Sequence, residues 1–141
     1  FRSGDDVAPE RVLTGLACNA GPAAPHSASG KRPLFVLLDG TWPEARRMFR
    51  QSPYLDRLPV LILQPGQRSR YRLRHALHDD HLCTSEVAAL CLELAGETRA
   101  AQTLEAYLDV FTHHYLQAKN QLPVDENDAL HQRLRDLGAQ A

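Results

Sequence analysis

The chain has 141 residues and a nearly balanced charge, with 16 lysines and arginines against 17 acidic residues. This length suits one domain, and 43% hydrophobic with 23% charged residues is typical of a soluble globular protein. No apolar segment approaches the roughly 20 residues that a membrane-spanning helix needs, and no signal-peptide pattern is visible. The composition therefore excludes a membrane protein and predicts a single domain over residues 1–141.

The cysteines and the first residue bear on location and completeness. Cys18, Cys83 and Cys91 form no C-x-x-C pair. Such an odd count favours reduced thiols and a cytoplasmic location over a disulfide scaffold. Because the chain begins at Phe1 rather than at a methionine, we expect its N-terminal part to be truncated.

Positive charge is concentrated in the middle of the chain. Residues 46–74 contain eight arginines and one acid, Asp56, which gives this window a charge of +7 on a chain whose net charge is −1. Such a field suits a polyanion such as RNA, or an acidic ligand. Charge alone leaves open a solvated basic face without a ligand.

The first half of the chain predicts a loop and two strands. Residues 1–33 show little periodicity, and the Gly-, Pro-, Ala- and Ser-rich part at 21–33 predicts a loop. "LFVLL" at 34–38 is a short continuous apolar run, typical of a strand buried on both faces of a parallel sheet. "LPVLIL" at 58–63 predicts a second buried strand.

A helix begins between these strands. Thr41 and Glu44 have the spacing of a capping box, in which each side chain bonds the backbone amide of the other residue. Pro43 fits the first turn, where its missing N–H is not needed. The predicted apolar face of this helix consists of Trp42, Ala45, Met48 and Phe49.

Residues 82–96 predict a second helix. Thr84 or Ser85 is expected at its N-cap, and Glu86 lies in its first turn, where a negative charge is favourable. Gly96 is expected to end it.

Two further helices are predicted within residues 98–141, at about 98–120 and 125–137. The order of strand, helix, strand and then helices indicates an α/β domain with a parallel sheet. Apolar residues at helical spacing mark both C-terminal helices: Leu104, Leu108, Phe111 and Tyr115 in the first, and Leu130, Leu134 and Leu137 in the second.

Three polar clusters, at residues 39–42, 69–74 and 82–86, follow strand-like runs. Ligands of open parallel sheets bind beyond the carboxyl ends of the strands, so we expect these clusters to share one crevice. A carboxylate, several guanidinium groups and helix N-termini suit an anionic or carboxylate-bearing ligand.

Together the three clusters resemble the DTW domain family, over roughly residues 34–116. The family's Asp-x-Thr-Trp signature stands at residues 39–42. An S-x-Y-x-x-R-like segment and a T-x-E segment follow in the family's order, as Ser69, Tyr71 and Arg74 and then as Thr84 and Glu86.

The resemblance implies a fold and an activity. It implies a SPOUT-like parallel-sheet domain with a trefoil knot, which periodicity alone does not reveal. It also implies transfer of the 3-amino-3-carboxypropyl group of S-adenosylmethionine to N3 of a tRNA uridine. Many members carry an N-terminal cysteine cluster of the zinc-binding kind, but only Cys18 precedes the signature here. That metal site is therefore absent or was lost with a missing N-terminus.

The resemblance also implies roles for individual residues. Asp39 is placed to accept the N3 proton as a general base. Gly40 lets the backbone pass close to a ligand, and Trp42 walls the pocket or stacks on a base. The predicted cofactor-binding residues are Asp39, Gly40, Thr41, Trp42, Leu63, Gln64, Ser69, Tyr71, Arg72, Arg74, Leu82, Thr84, Ser85 and Glu86. The predicted RNA-binding residues are Arg46, Arg47, Arg50, Arg68 and Arg70.

Structural alternatives remain open for these residues. Asp39 is alternatively a second cap, and Trp42 a core residue of its helix. Arg72 and Arg74 either clamp the methionine carboxylate or tRNA phosphate, or form a solvated face. Ser69 and Tyr71 are equally well explained as turn and packing residues without a role in binding. Thr84, Ser85 and Glu86 either contact the cofactor or only cap their helix.

Histidines and one cysteine suggest other chemistry. His75, His78 and His81 lie three apart, but no cysteine pair or HExxH motif accompanies them, and we predict no metal. His113 and His114 are interpreted as a partly exposed surface pair. Cys83 is interpreted as a buried, inert thiol.

Two other functions stay open. One is a SPOUT-like methyltransferase that uses the same cofactor, and the other is a non-catalytic RNA-binding module. The sequence leaves the oligomeric state and the modified tRNA position undetermined.

Overall fold

The computed structural model describes residues 7–14, 33–63 and 82–139. The chain divides into two compact units, Phe1–Gly66 and Gln67–Ala141, and each is described by itself. A single domain over residues 1–141 stays a prediction.

A short parallel strand pair organises the first unit. β1 (Val12–Leu13) pairs with β2 (Val60–Leu61), with Val12 opposite Val60. The Ile62 amide extends this ladder by donating to the Leu13 carbonyl at 2.8 Å. The α/β class and the parallel pairing are therefore confirmed, whereas the SPOUT-like fold and the knot stay predictions. β1 was not predicted, because its partner lies far along the chain and its own sequence carries no periodicity.

The predicted strand at 34–38 is wrong. Residues 33–39 form no strand, and the side chains of Leu34 and Val36 are 90% and 53% exposed. A run of apolar residues indicates that burying these side chains is favourable. A strand also needs a neighbouring strand to bond its backbone N–H and C=O groups, and the run does not show whether one is present. The second predicted strand, 58–63, shortens to β2 because Pro59 has no N–H to donate to a ladder.

Arg11 joins three parts of the first unit. It ends a 3₁₀ helix, Pro9–Arg11, and its guanidinium donates to the carbonyls of Leu55 (2.8 Å) and Leu58 (2.9 Å). The guanidinium also lies over the ring of Phe49, 5.8 Å from its centroid. Phe49 and Leu55 are the buried residues within the described part of this unit. Arg11 therefore connects the segment that leads into β1 with the small core of the unit.

Two helices surround that core. α1 (Trp42–Arg50) contributes Phe49, and a second 3₁₀ helix, Pro53–Arg57, contributes Leu55. Pro53 begins the 3₁₀ helix in the first turn, where a missing N–H costs nothing.

The second unit contains three helices among the described residues: α2 (Thr84–Leu94), α3 (Thr98–Lys119) and α4 (Ala129–Ala139). α3 packs against both α2 and α4. The predicted helix at 98–120 is confirmed, and the last helix begins at Ala129 rather than 125 because Asp128 caps it.

The turn between α2 and α3 follows the predicted glycine. Gly96 has a φ of 79°, in the left-handed region that glycine adopts without strain. Its amide donates to the Glu93 carbonyl at 3.0 Å, and the Glu97 amide donates to the Leu92 carbonyl at 2.9 Å. These two bonds form a Schellman motif, so the prediction that Gly96 ends the helix is confirmed.

The buried face of α3 differs from the predicted stripe. Leu108 is buried as expected, but Phe111 and Tyr115 are 48% and 50% exposed. Small side chains line the contacts with neighbouring helices and allow close approach. The buried residues of α2 and α3 are Ala89, Cys91, Ala101, Ala106, Leu108 and Thr112.

None of the helices within the described residues combines the length and the apolar composition required to cross a membrane.

Candidate functional site

The signature residues 39–42 stand where an extended segment enters α1. Thr41 is the N-cap, with an extended backbone (φ −66°, ψ 158°). The Glu44 carboxylate accepts a hydrogen bond from the Thr41 amide at 2.8 Å and another from the Thr41 hydroxyl at 2.6 Å. The predicted capping box is confirmed, and Thr41 therefore has a structural role.

Asp39 and Trp42 are exposed on either side of this cap. The Trp42 side chain is 42% exposed, so the alternative that it is a core residue of α1 is wrong. The side of α1 that is covered consists of Ala45, Met48 and Phe49. An exposed indole close in sequence to an exposed carboxylate offers a stacking surface and a proton acceptor.

Gly40 lies close to α1. A Cβ atom at this position would lie 3.2 Å from Cβ of Glu44 and 3.3 Å from Cε of Met48. These approaches are tighter than ordinary van der Waals contact, so a side chain at this position would require its neighbours to shift by a few tenths of an ångström. The predicted close approach of Gly40 to a ligand stays a prediction.

The cluster at residues 82–86 forms the N-terminus of α2. The predicted N-cap, Thr84 or Ser85, is wrong, because Cys83 is the N-cap and Thr84 is the first helical residue. The Cys83 amide donates to Glu86 Oε2 at 2.8 Å. The N-cap therefore lies three residues before Glu86, as in a capping box. Glu86 lies in the first turn of α2 as predicted, whereas Leu82 precedes the helix, which spans Thr84–Leu94 rather than 82–96. All five residues of the cluster are half-buried.

The thiols of Cys83, at the N-cap of α2, and Cys91, within α2, both have a raised pKa. Burial, and then the charge of the Glu86 carboxylate, raise the pKa of the Cys83 thiol, although the Glu86 amide opposes this by bonding the sulfur. Burial raises the pKa of the Cys91 thiol as well. Fewer thiolates form at neutral pH, in agreement with the interpretation of Cys83 as inert.

The predicted RNA-binding arginines of α1 lie on the side away from its apolar face. Arg47 and Arg50 are exposed and Arg46 is half-buried. Arg47 Nε donates to Gln51 Oε1 at 3.4 Å, a long bond that a phosphate can replace. Arg57 is exposed on the following 3₁₀ helix and adds to the positive charge of the same unit.

Part of the predicted site lies outside the described residues. Leu63 is described, and it is half-buried just after β2. The site residues outside are Gln64, Arg68, Ser69, Arg70, Tyr71, Arg72 and Arg74, and the same holds for Cys18, His75, His78 and His81. Residues 39–42 and 82–86 belong to different units, so the shared crevice stays a prediction.

Sequence analysis missed two polar contacts. One is the bonding of Arg11 described above, and the other joins His113 and His114 to α4. Arg11 and Leu55 are 44 residues apart, and His114 and His131 are 17 residues apart. Contacts over such separations leave no pattern in the local sequence. Across residues 7–14, 33–63 and 82–139, no three or more His, Cys, Asp and Glu side chains are arranged to hold a metal ion.

Comparison with known proteins gives a family and a relative. The DTW domain family matches residues 4–116. A curated relative, tRNA-uridine aminocarboxypropyltransferase 2 of Drosophila melanogaster, is 40% identical over 70 residues, which are 49% of this chain and 28% of the relative. The similarity thus spans less than a third of the relative's length. No solved structure gives a significant match.

Proposed function

Because the chain belongs to the DTW domain family, we propose that it modifies tRNA by transferring the 3-amino-3-carboxypropyl group of S-adenosylmethionine to N3 of a uridine. The observation that carries this proposal is the exposed Asp39 carboxylate at the entrance to α1, with the exposed Trp42 indole three residues later. The partial similarity to tRNA-uridine aminocarboxypropyltransferase 2 supports it.

The carboxylate of the donor needs positively charged or N–H partners. At the N-termini of α1 and α2, Glu44 and Glu86 already accept from the amides of the capping residues. We therefore assign the donor's carboxylate to guanidinium groups, and Arg72 and Arg74 are the proposed clamp.

Asp39 acts as the proton acceptor in this proposal. When bound, S-adenosylmethionine supplies an electrophilic γ-carbon and leaves as methylthioadenosine. Asp39 takes the proton from N3 of the uridine as that nitrogen forms its new bond to carbon. The close approach of Gly40 to Glu44 and Met48 places the backbone next to Asp39 against α1.

The arginine side of α1 holds the tRNA backbone. Arg46, Arg47 and Arg50 offer guanidinium groups that bind phosphate through paired hydrogen bonds. Such contacts position the RNA without selecting a sequence, and Trp42 then stacks on a base.

Calorimetry with S-adenosylmethionine, followed by mass spectrometry of nucleosides from treated tRNA, tests the proposal. The expected result is saturable binding of the donor and a uridine that carries one aminocarboxypropyl group. No donor binding, with tRNA binding retained, would identify an RNA-binding module instead. A methylated uridine would identify a methyltransferase.

A further inference from the structure

Three histidines and one aspartate meet where α3 contacts the start of α4. His114 Nε2 lies 2.7 Å from His131 Nε2, and His131 Nδ1 lies 2.7 Å from Asp128 Oδ1. We name Asp128, His131 and His114 the histidine latch. Its central ring is well covered, since the side chain of His131 is 11% exposed.

Asp128 anchors one end of the latch. It caps α4 by accepting from the His131 amide at 2.9 Å, and its second oxygen lies 3.4 Å from His113 Nε2. The bond from the His131 amide, followed by the bond from the His131 ring, lowers the pKa of the Asp128 carboxyl. Asp128 is therefore an ionised acceptor, and His131 Nδ1 is assigned as the donor of their shared bond.

A proton count limits the states in which the latch stays closed. A hydrogen bond between two Nε2 atoms contains one proton, carried by either ring. The pair is closed when both rings are neutral, with His114 donating, and also when one ring is protonated. When both rings are imidazolium ions, both Nε2 atoms carry protons and like charges face each other, so a separation of 2.7 Å cannot be kept.

We propose that the histidine latch is a proton-sensitive fastening of α4 to α3, which is closed at neutral pH and opens when His114 and His131 are both protonated. Histidine is the side chain that ordinarily changes charge between about pH 5 and 8. Asp128 and His131 lie beyond the family match at residues 4–116, whereas His114 lies within it, so the latch joins the matched segment to residues outside it.

Arginine side chains make further polar contacts between α3 and α4. Arg133 of α4 contacts Asp109 at 3.1 Å and Glu105 at 3.7 Å on α3. Arg99 of α3 donates to the Leu137 carbonyl at 2.9 Å near the end of α4. His113 also contacts Asp128, but it is not part of the shared-proton pair.

The sign of the pH effect follows from proton binding. The undocked form takes up one proton more than the closed latch, so docking weakens as the pH falls. One excess proton raises the opening equilibrium constant by at most about tenfold per pH unit. Opening loosens the junction between α3 and α4, whereas the packing of α2 against α3 is not part of the latch.

Hydrogen–deuterium exchange of the full chain, corrected for intrinsic rates, measures this opening. Between about pH 7.5 and 5.5 we expect residues 129–139 to lose protection by several-fold, and by no more than about tenfold per pH unit, while residues 84–94 change little. His114→Gln keeps a hydrogen-bonding partner for either protonation state of His131, because an amide both donates and accepts. This variant should therefore lose most of the pH dependence.

His113→Gln is the matched control, since it removes a neighbouring imidazole but keeps the shared-proton pair. It should lose protection with falling pH as the wild type does. The proposal is overturned if wild-type α4 keeps its protection at the lower pH, or if His114→Gln loses protection as steeply as the wild type. It is also overturned if a chelator exposes α4 at neutral pH, because a metal ion rather than a proton would then hold the histidines.

Discussion

The N-termini of α1 and α2 are built alike but differ in what surrounds them. In each, a glutamate accepts from the amide of the capping residue at 2.8 Å. The α1 cap, Thr41, is exposed and is preceded by the exposed Asp39, whereas the α2 cap, Cys83, is half-buried. A capping box alone therefore does not mark a reactive site.

This difference separates structural acids from the candidate base. Glu44 and Glu86 are held by the helices that they cap, so their carboxylates stabilise local structure. Asp39 lies outside both boxes, at the end of the extended segment. The proposed function accordingly places proton transfer on Asp39 and leaves the two glutamates to stabilise their helices.

Replacing Asp39 should have the largest effect. We expect Asp39→Asn to lower turnover by roughly 10²-fold or more, because an amide cannot accept the proton from N3. The affinity for S-adenosylmethionine should stay within a few-fold, since the side chain keeps its size. Single-turnover kinetics and calorimetry measure the two quantities.

Asp56→Asn is the matched control for Asp39→Asn. Asp56 is also an exposed acid of the first unit, but it lies on a 3₁₀ helix and should be neutral to turnover. Equal turnover in both variants and the wild type would remove the role of Asp39 as a base.

Charge removal from α1 should come next. Replacing Arg46, Arg47 and Arg50 together by glutamine should weaken tRNA binding and flatten its salt dependence. Each lost phosphate contact reduces the slope of log K against log salt by about 0.7 to 0.9. Titration of tRNA at several salt concentrations gives this slope, and an unchanged slope would show that this side of α1 is only solvated.

The two capping glutamates should differ in their effect on stability. We expect Glu86→Ala to lower the free energy of unfolding of its unit by about 1 kcal/mol, because the half-buried Cys83 amide loses its acceptor. Glu44→Ala should cost less, since water reaches the exposed Thr41 amide. Urea unfolding followed by hydrogen exchange compares them, and a larger loss for Glu44→Ala would contradict the assignment.

The smallest expected effect concerns Cys83. Its raised pKa means that the folded state keeps the thiol proton to higher pH than the unfolded state does. The resulting stabilisation is present below the pKa of an unfolded thiol, which is about 8.5, and is lost as the pH rises through the folded pKa. Alkylation of Cys83 should accordingly be slower than that of a free thiol near pH 8, with Cys83→Ser as the blank. Alkylation at the free-thiol rate would contradict the burial of Cys83.

Helices were more predictable than strands. The spacing of apolar residues and the caps predicted α1 and α3 closely, because both signals are local. The strand at 34–38 failed and β1 was missed, because pairing depends on a partner remote in sequence. The cap of α2 was misplaced because a cysteine is an unusual cap, although the position of Glu86 pointed to it.

The candidate site was predictable only in part. The capping role of Thr41 followed from its spacing to Glu44, but the exposure of Trp42 and the packing of Gly40 required the three-dimensional arrangement. The histidine latch was missed because the positions of His113 and His114 within α3 do not reveal that these side chains contact residues at the start of α4. The roles of residues 64–74 stay predictions, which rest on the family resemblance and on the concentration of arginines there.

Double-labelled S-adenosylmethionine tests the central claim most directly. One label is placed in the carboxyl carbon and a second in the methyl group, and both are counted in tRNA after incubation with the chain. Aminocarboxypropyl transfer predicts carboxyl label in tRNA, while methyl label leaves as methylthioadenosine. Methyl label in tRNA without carboxyl label would contradict the account and identify a methyltransferase.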